Sequence, residues 1–308
     1  MKILVIGGCG YIGSVLVEYL INKGHNVTVF DNLRYGQNPF LNLLHTQRLS
    51  IEIGDCRDES RITDLLPGYD CVIHLAAIVG APSCDANPFD ATTINLDAVK
   101  ILVKHLSSQQ MLLFPCSNSG YGIGEDGMYC TEESPLRPVS LYGQLKVAAE
   151  SEVLSRENSI SFRLATVFGP SPCMRTGLLV NDFVLKAIQD RSIVLFESHF
   201  KRNYIHIIDV ARAFVLAIDQ FDDMKTNVFN VGLSDANLSK KELCDTIAKY
   251  LKFALIEEEF SKDVDRRNYI VSNDKIESHG FVSSKTLDDG IQELIEAYKL
   301  TQVSYYKH

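Results

Sequence analysis

Seven residues near the start of the chain, Gly7-Gly8-Cys9-Gly10-Tyr11-Ile12-Gly13, constrain its fold more than any other stretch. They follow a short apolar run, Lys2–Ile6, and open a run with helical spacing, Gly13–Asn22. A buried strand that turns on glycine straight into a helix is the opening unit of a parallel α/β sheet. The alternation then repeats. Strand-like runs recur at Asn26–Phe30, Leu49–Ile53, Cys71–Leu75, Met111–Cys116 and Ser161–Leu164. Helical patterns lie between them, notably Phe89–Leu106 and Tyr142–Ser155. This order predicts an α/β fold, a doubly wound (Rossmann) parallel sheet covered by helices on both faces.

The pattern changes after Gly169-Pro170. Helices are expected at Leu178–Asp190, Ile208–Phe221, Lys240–Leu251 and Asp288–Leu300. Strands are expected at Ser192–Phe196, Asn227–Val231 and Ala254–Glu258, with a loop between Phe196 and Ile208. The chain therefore reads as a first domain over 1–170 and a smaller mixed α/β lobe over 171–308, with some segments crossing back. A length of 308 residues suits two such units, and 46% hydrophobic residues supply a core.

Charge and cysteine usage exclude several classes. The chain carries 30 basic and 39 acidic residues, a net charge of −9, without the basic excess that nucleic-acid binding requires. No apolar run approaches the ~18 residues of a membrane span. The apolar start is interrupted by glycines and lacks a small-residue cleavage site, unlike a signal peptide. The eight cysteines are scattered without a C-x-x-C pair, as expected of reduced thiols in a cytoplasmic protein with no metal site.

The glycines fit G-x-G-x-x-G at 8, 10 and 13, and G-x-x-G-x-x-G at 7, 10 and 13. Glycine lets the backbone approach a pyrophosphate, and the helix that follows offers it unpaired N–H groups and partial positive charge. Asp31 ends the second strand 18 residues after Gly13, where a carboxylate can bond both hydroxyls of an adenosine ribose. It would repel a 2′-phosphate, so NAD is favoured, while Arg34 keeps NADP open. Asn32 adjoins this position, and Asp55-Cys56 follows the third strand at the expected adenine edge.

Tyr142 and Lys146 stand four apart, on one face of a helix. A phenol is a poor base at neutral pH, and a neighbouring ammonium stabilises its ionised form. Ser117 ends the fifth strand, at the carboxyl edge where such sheets bind ligands. Its hydroxyl could hold a substrate oxygen beside the phenol.

Taken in order, these segments resemble the NAD-dependent epimerase/dehydratase branch of the extended short-chain dehydrogenases/reductases, enzymes of nucleotide sugars. The resemblance runs through Gly7–Gly13, Asp31–Leu33, His74–Ala77, Asn95, Ser117–Gly122, Tyr142–Lys146, Arg163–Gly169 and Arg202–His206. It implies that Tyr142 is the general base. Lys146 lowers the Tyr142 pKa and bonds the nicotinamide ribose, and Ser117 positions the reacting hydroxyl. It also implies that Gly7, Gly10, Tyr11, Ile12, Gly13, Leu75, Ala76, Ala77 and Asn95 surround the cofactor. On the substrate side it implies Ser117, Asn118, Ser119, Asn181, Arg202 and Arg267, the last within Asp265-Arg266-Arg267-Asn268.

The resemblance further implies hydride transfer at sugar C4, ending in a released ketone, a 4-epimer or a 4,6-dehydrated sugar. Related dehydratases carry an Asp-Glu pair where this chain has Asn118 and Ser119, which argues against dehydration. A non-catalytic nucleotide-binding module on the same fold is the remaining alternative. Finer similarity at Ser117–Glu125, Thr131–Pro138, Arg163–Gly169 and Arg267–Asn273 is to bacterial capsule enzymes that oxidise GDP-manno-heptose at C4. Cys173 departs from that pattern, which has an arginine there. Relatives pair as homodimers through the helices matching Phe89–Leu106 and Tyr142–Ser155.

Overall fold

Lys2–Ile6 forms β1, and all of it after Lys2 is buried. That burial demands cover on both faces, and the strands around it supply a single wide sheet. The computed structural model describes residues 1–36, 38–125, 127–258 and 267–301. With β1, the strands Asn26–Asp31 (β2), Leu49–Ile53 (β3), Cys71–His74 (β4) and Met111–Ser117 (β5) fill the first half. The sheet runs in the order Asn227–Val231, Ser159–Leu164, β5, β4, β1, β2, β3, and every pairing is parallel. The strand order reverses between β1 and β4, which opens a crevice at their carboxyl ends. This is the doubly wound Rossmann architecture.

The strand Asn227–Val231 comes from beyond residue 170 yet closes one edge of this sheet, beside Ser159–Leu164. Helix Ile207–Asp219 packs on helix Tyr11–Asn22, and their apolar faces share one core with the sheet. A second core, on the other face, includes Leu4, Val72, Leu112, Val99 and Leu145. Smaller sheets carry the rest of the second half. One joins Thr166–Phe168, Lys201–His206 and Asn237–Ser239, and another joins Ser192–Phe196 to Ala254–Glu258.

Two expectations change in detail. Residues 201–206 carry no strand pattern in the sequence, because Lys201-Arg202-Asn203 hides it. They form a strand whose side chains are buried after Lys201 between two neighbours. The single helix expected over Phe89–Leu106 is instead Pro88–Thr92, a π-helical turn Thr93–Asp97, and Ala98–His105. All eight cysteines are buried free thiols. Among the described residues no helix is long and apolar enough to cross a membrane, and no cluster of His, Cys, Asp and Glu could hold a metal ion.

Candidate active site

The glycine turn is shaped by close approach. Gly7 has φ +81°, and a Cβ there would lie 2.4 Å from the Ala76 backbone nitrogen. A Cβ at Gly13 would lie 2.4 Å from the Gly8 carbonyl oxygen. Packing therefore accounts for both glycines. Gly10 is different, because a Cβ there would meet only the Gly7 carbonyl oxygen, at 3.4 Å. Gly10 is also the N-cap of helix Tyr11–Asn22 and offers no side-chain cap to the first-turn N–H groups. An uncapped helix start behind a side-chain-free position is a cradle that fits a dinucleotide pyrophosphate.

Asp31 braces this cradle. One carboxylate oxygen accepts the Cys9 N–H at 2.9 Å and the other accepts the Leu33 N–H at 2.8 Å. Each oxygen keeps a lone pair for a ribose hydroxyl. Asn32 accepts the Arg34 N–H at 3.1 Å. Asp55 is held by Arg57, through Nε at 2.9 Å and Nη2 at 2.7 Å, and Arg57 holds its carboxyl below the usual range. Cys56 beside it is buried, and burial pushes its thiol up to about 12. Arg34, the residue that kept NADP open, lies 3.7 Å from Asp90.

Behind β4, the N–H groups of Leu75 and Ala76 both donate to the Ile6 carbonyl oxygen, at 2.7 and 3.0 Å. Ala76 thereby lies against Gly7, and half-buried Ala77 continues the wall. Asn95, in the π-helical turn, accepts the Ile78 N–H and donates to the Ile78 carbonyl oxygen, each at 2.8 Å. Its amide is therefore a clamp on the loop after β4. π-helical turns often mark functional positions.

Ser117 closes β5 at the same edge. Its Oγ accepts the Ser119 N–H at 3.1 Å and the Ser119 hydroxyl at 2.8 Å, which leaves the Ser117 hydroxyl hydrogen to donate elsewhere. Asn118 is buried with neither amide atom bonded in the protein. Helix Leu141–Leu154 starts at a Ser140 cap, and Gly143 lets it sit close to the Ser117 turn. A Cβ at Gly143 would lie 3.1 Å from the Ser119 carbonyl oxygen.

This helix buries Tyr142 and Lys146 together. The Lys146 Nζ lies 3.8 Å above the Phe114 ring centroid. Burial pushes the ammonium down to about 8, against the pull of Cys116, Glu150 and Cys84. Burial pushes the Tyr142 phenol up to about 12, while Arg175, Arg267 and Ser117 pull it back. Cys116 donates to the Lys146 carbonyl oxygen at 3.5 Å.

The second half faces this edge. Arg202 is buried, donates from Nη1 to the Lys201 carbonyl oxygen at 2.9 Å and lies 5.7 Å from the Tyr269 ring. Arg267 is half-buried, while Asp265 and Arg266 lie outside the described residues. Asn181, expected at a substrate phosphate, has its side chain spent inside the protein. It accepts the Gly169 N–H at 3.1 Å and donates to the Tyr11 hydroxyl at 3.2 Å and the Arg175 carbonyl oxygen at 3.0 Å. Tyr11 in turn donates to the Gly169 carbonyl oxygen at 2.7 Å, tying the cradle to the second half. Cys173 is buried, and burial pushes its thiol up to about 11, a poor acid or base.

Residues 3–232 match the model of the NAD dependent epimerase/dehydratase family. The chain belongs to that family.

Its relatives are distant but span most of its length. A UDP-glucose 4-epimerase of Corynebacterium glutamicum is 28% identical over 268 residues, 79% of this chain and 79% of its own. The low-salt glycan biosynthesis protein Agl12 of Haloferax volcanii is 26% identical over 313 residues, 97% of this chain and 98% of its own. Pal from Bacillus thuringiensis shares the fold, with a TM-score of 0.89 at 21% identity over 98% of this chain and 100% of its own. MoeE5, solved in complex with UDP-glucose and NAD, has a TM-score of 0.84 at 25% identity over 98% of this chain and 100% of its own. NAD is the cofactor of this epimerase/dehydratase chain, and the glycine cradle fits it.

Sequence reasoning missed the polar network under helix Leu141–Leu154 of this family member. Glu150 pairs with Arg163 at 2.8 Å, both nearly fully buried. Arg163 also donates to the Tyr121 hydroxyl at 3.1 Å, and Tyr121 donates to Asn230 at 2.7 Å. Ser117's turn, the helix of Tyr142 and the returning strand are thereby fastened together. A glutamate four residues beyond Lys146 and a lone arginine inside Ser159–Leu164 were the available signals. Arg175, whose spacing carries no such signal, donates to the Val79 carbonyl oxygen at 2.6 Å.

Proposed function

We propose that the protein oxidises C4 of a nucleotide-diphospho-sugar to the 4-keto sugar, using NAD. One observation carries this reading. Ser117 ends β5 at the carboxyl edge of the sheet, and the helix that buries Tyr142 and Lys146 packs against its turn, next to a glycine cradle that fits a dinucleotide. NAD supplies the hydride acceptor and, when oxidised, a positive charge at the nicotinamide. Ser117 donates to the sugar hydroxyl, and Tyr142 accepts that hydroxyl's proton. Lys146 holds the nicotinamide ribose and shares the developing charge. Arg202 and Arg267 serve the diphosphate as planar, permanently charged donors. Buried Asn118, with no partner in the protein, supports a substrate role for the Ser117 turn.

The preferred substrate is a GDP-manno-heptose-like sugar for a capsule or surface glycan, on the sequence similarity described above. A 4-epimerase is the second reading, favoured by the relatives named as UDP-glucose 4-epimerases. The deciding experiment incubates the protein with GDP-, UDP- and CDP-sugars. Net NADH release marks a dehydrogenase, and inverted C4 with the cofactor retained marks an epimerase. Tyr142→Phe should lower turnover by about a thousandfold, and unchanged turnover would sink the catalytic role.

We place the protein in the cytoplasm, which suits its free thiols. We infer that it pairs as a homodimer through the stretches Phe89–Leu106 and Tyr142–Ser155. A monomeric mass by light scattering at micromolar concentration contradicts the dimer.

A further inference from the structure

Two arginines stand at the Asp31 corner of the cradle, and one carboxylate from beyond β4 holds both. Arg34 follows Asp31 in a tight turn. Leu33 has φ +54°, its carbonyl oxygen accepts the Gly36 N–H at 2.8 Å, and the Arg34 N–H donates to the Asn32 side chain at 3.1 Å. Arg57 follows β3, which pairs with β2 so that Ile53 stands opposite Asp31. The Gly54 N–H donates to the Asp31 carbonyl oxygen at 3.1 Å, which fixes the loop after β3 beside the turn after β2.

Asp90 lies in helix Pro88–Thr92 and meets both side chains. Arg57 Nη1 donates to one Asp90 oxygen at 2.9 Å, and Arg34 Nη1 lies 3.7 Å from the other. The Asn87 amide donates to that second oxygen at 2.9 Å, and the Asn87 side-chain oxygen accepts the Asp90 N–H at 3.1 Å. Arg57 spends Nε and Nη2 on Asp55 and Nη1 on Asp90, so its fork is used up in anchoring Asp90 to the β3 loop. Arg34 is exposed, and among the described residues Asp90 is the one carboxylate paired with it.

We propose that Asp90 sets the choice of NAD over NADP, by pairing with Arg34 and so denying its charge to the place a 2′-phosphate would take beside Asp31. The proposal rests on Asp31 holding the adenosine ribose. A 2′-phosphate brings about two negative charges at neutral pH. A guanidinium is the group best suited to receive it, because its planar fork donates paired hydrogen bonds. The chain carries that group three residues after Asp31, yet the corner as a whole is acidic: Arg34 and Arg57 face Asp31, Asp55 and Asp90. Without the Asp90 charge the corner is balanced, and Arg34 is left unpaired at its surface. Asp90 acts through Arg34 and is a positioning residue for cofactor choice.

The test measures binding and needs no turnover. NAD⁺ and NADP⁺ are titrated calorimetrically into the full chain after bound dinucleotide has been removed. Asp90→Asn keeps the shape of the side chain and removes its charge. Its affinity for NADP⁺ should rise about tenfold relative to its affinity for NAD⁺. That gain should shrink between about 0.05 and 0.5 M salt, as expected of exposed charges. Adding Arg34→Ala to Asp90→Asn should remove most of the gain. A ratio unchanged in Asp90→Asn overturns the proposal, and so does a gain that survives Arg34→Ala. A helix that is merely loosened weakens both dinucleotides together and leaves the ratio unchanged, which is the same failure. Asp31→Asn checks the underlying reading, since NAD⁺ affinity should fall about tenfold with loss of a charge-assisted bond. Full NAD⁺ affinity there would remove the ribose assignment, while the ratio in Asp90→Asn would still decide whether Asp90 governs cofactor choice.

Discussion

The glycine turn and the segment over residues 169–181 face one another across the cofactor cleft, and they are built in opposite ways. The turn takes its shape from backbone contacts, with Gly7 against Ala76 and Gly13 against Gly8. The opposing segment is held by side-chain hydrogen bonds to distant residues. Tyr11 reaches Gly169 across 158 positions, and Arg175 reaches Val79 across 96. Steric exclusion is unforgiving and local, whereas a hydrogen-bonded tie is worth about 1 kcal/mol and depends on everything that aims it.

The sharpest attack on this contrast is Gly13→Ala. Its Cβ would collide with backbone that cannot step aside, so a loss of about 3 kcal/mol or more is expected, with failure to retain NAD. Thermal unfolding and the cofactor content of purified protein check both. A variant that purifies with full cofactor and wild-type stability would show that the turn is looser than its contacts imply.

Lys146→Met tests the charge buried between the two sides. The folded ammonium keeps its proton only below about 8, while an unfolded lysine keeps it to about 10.5. Below pH 8 the wild type therefore carries a penalty of about 3 kcal/mol, which fades as pH rises to about 10.5. The variant should be the more stable protein at pH 7 and lose that advantage towards pH 10, while its turnover collapses. Denaturant unfolding of both proteins across pH measures the gap, and a gap independent of pH rules the explanation out.

Smaller effects separate the two sides further. Gly10→Ala meets little in the protein, so it should cost only about 1 kcal/mol of stability as a poorer N-cap. Its Cβ would obstruct the pyrophosphate, lowering NAD affinity about tenfold or more. Calorimetric binding would expose a wrong assignment if affinity held. Tyr11→Phe should cost about 1 to 2 kcal/mol, by leaving the Gly169 carbonyl oxygen without its donor. It should also raise the KM for the sugar more than it lowers kcat, because it loosens the segment over residues 169–181 beside the cradle.

Much of the first half was legible because its determinants are short-range. Strand, glycine turn and helix follow one another within the first 22 residues, and Asp31 stands at the end of the next strand. The second half was less legible. Lys201–His206 gave no strand signal, because its polar residues are buried by partners from Thr166–Phe168 and Asn237–Ser239. The bonds of the Asn181 side chain to Gly169, Tyr11 and Arg175 were not legible either, because an asparagine's type says nothing about which partners the fold brings to it. Glu150 and Arg163 lie 13 positions apart with nothing in the sequence to pair them, yet they are paired in the core.

By itself the sequence determined the βα order, the glycine cradle and the spacing that puts Tyr142 and Lys146 on one helical face. Each follows from backbone sterics or helix geometry within a few residues. Only the tertiary structure decided the electrostatic surroundings of the Tyr142 phenol. Those surroundings come from burial and from charges brought in by remote segments, and neither is encoded near the residue that feels them.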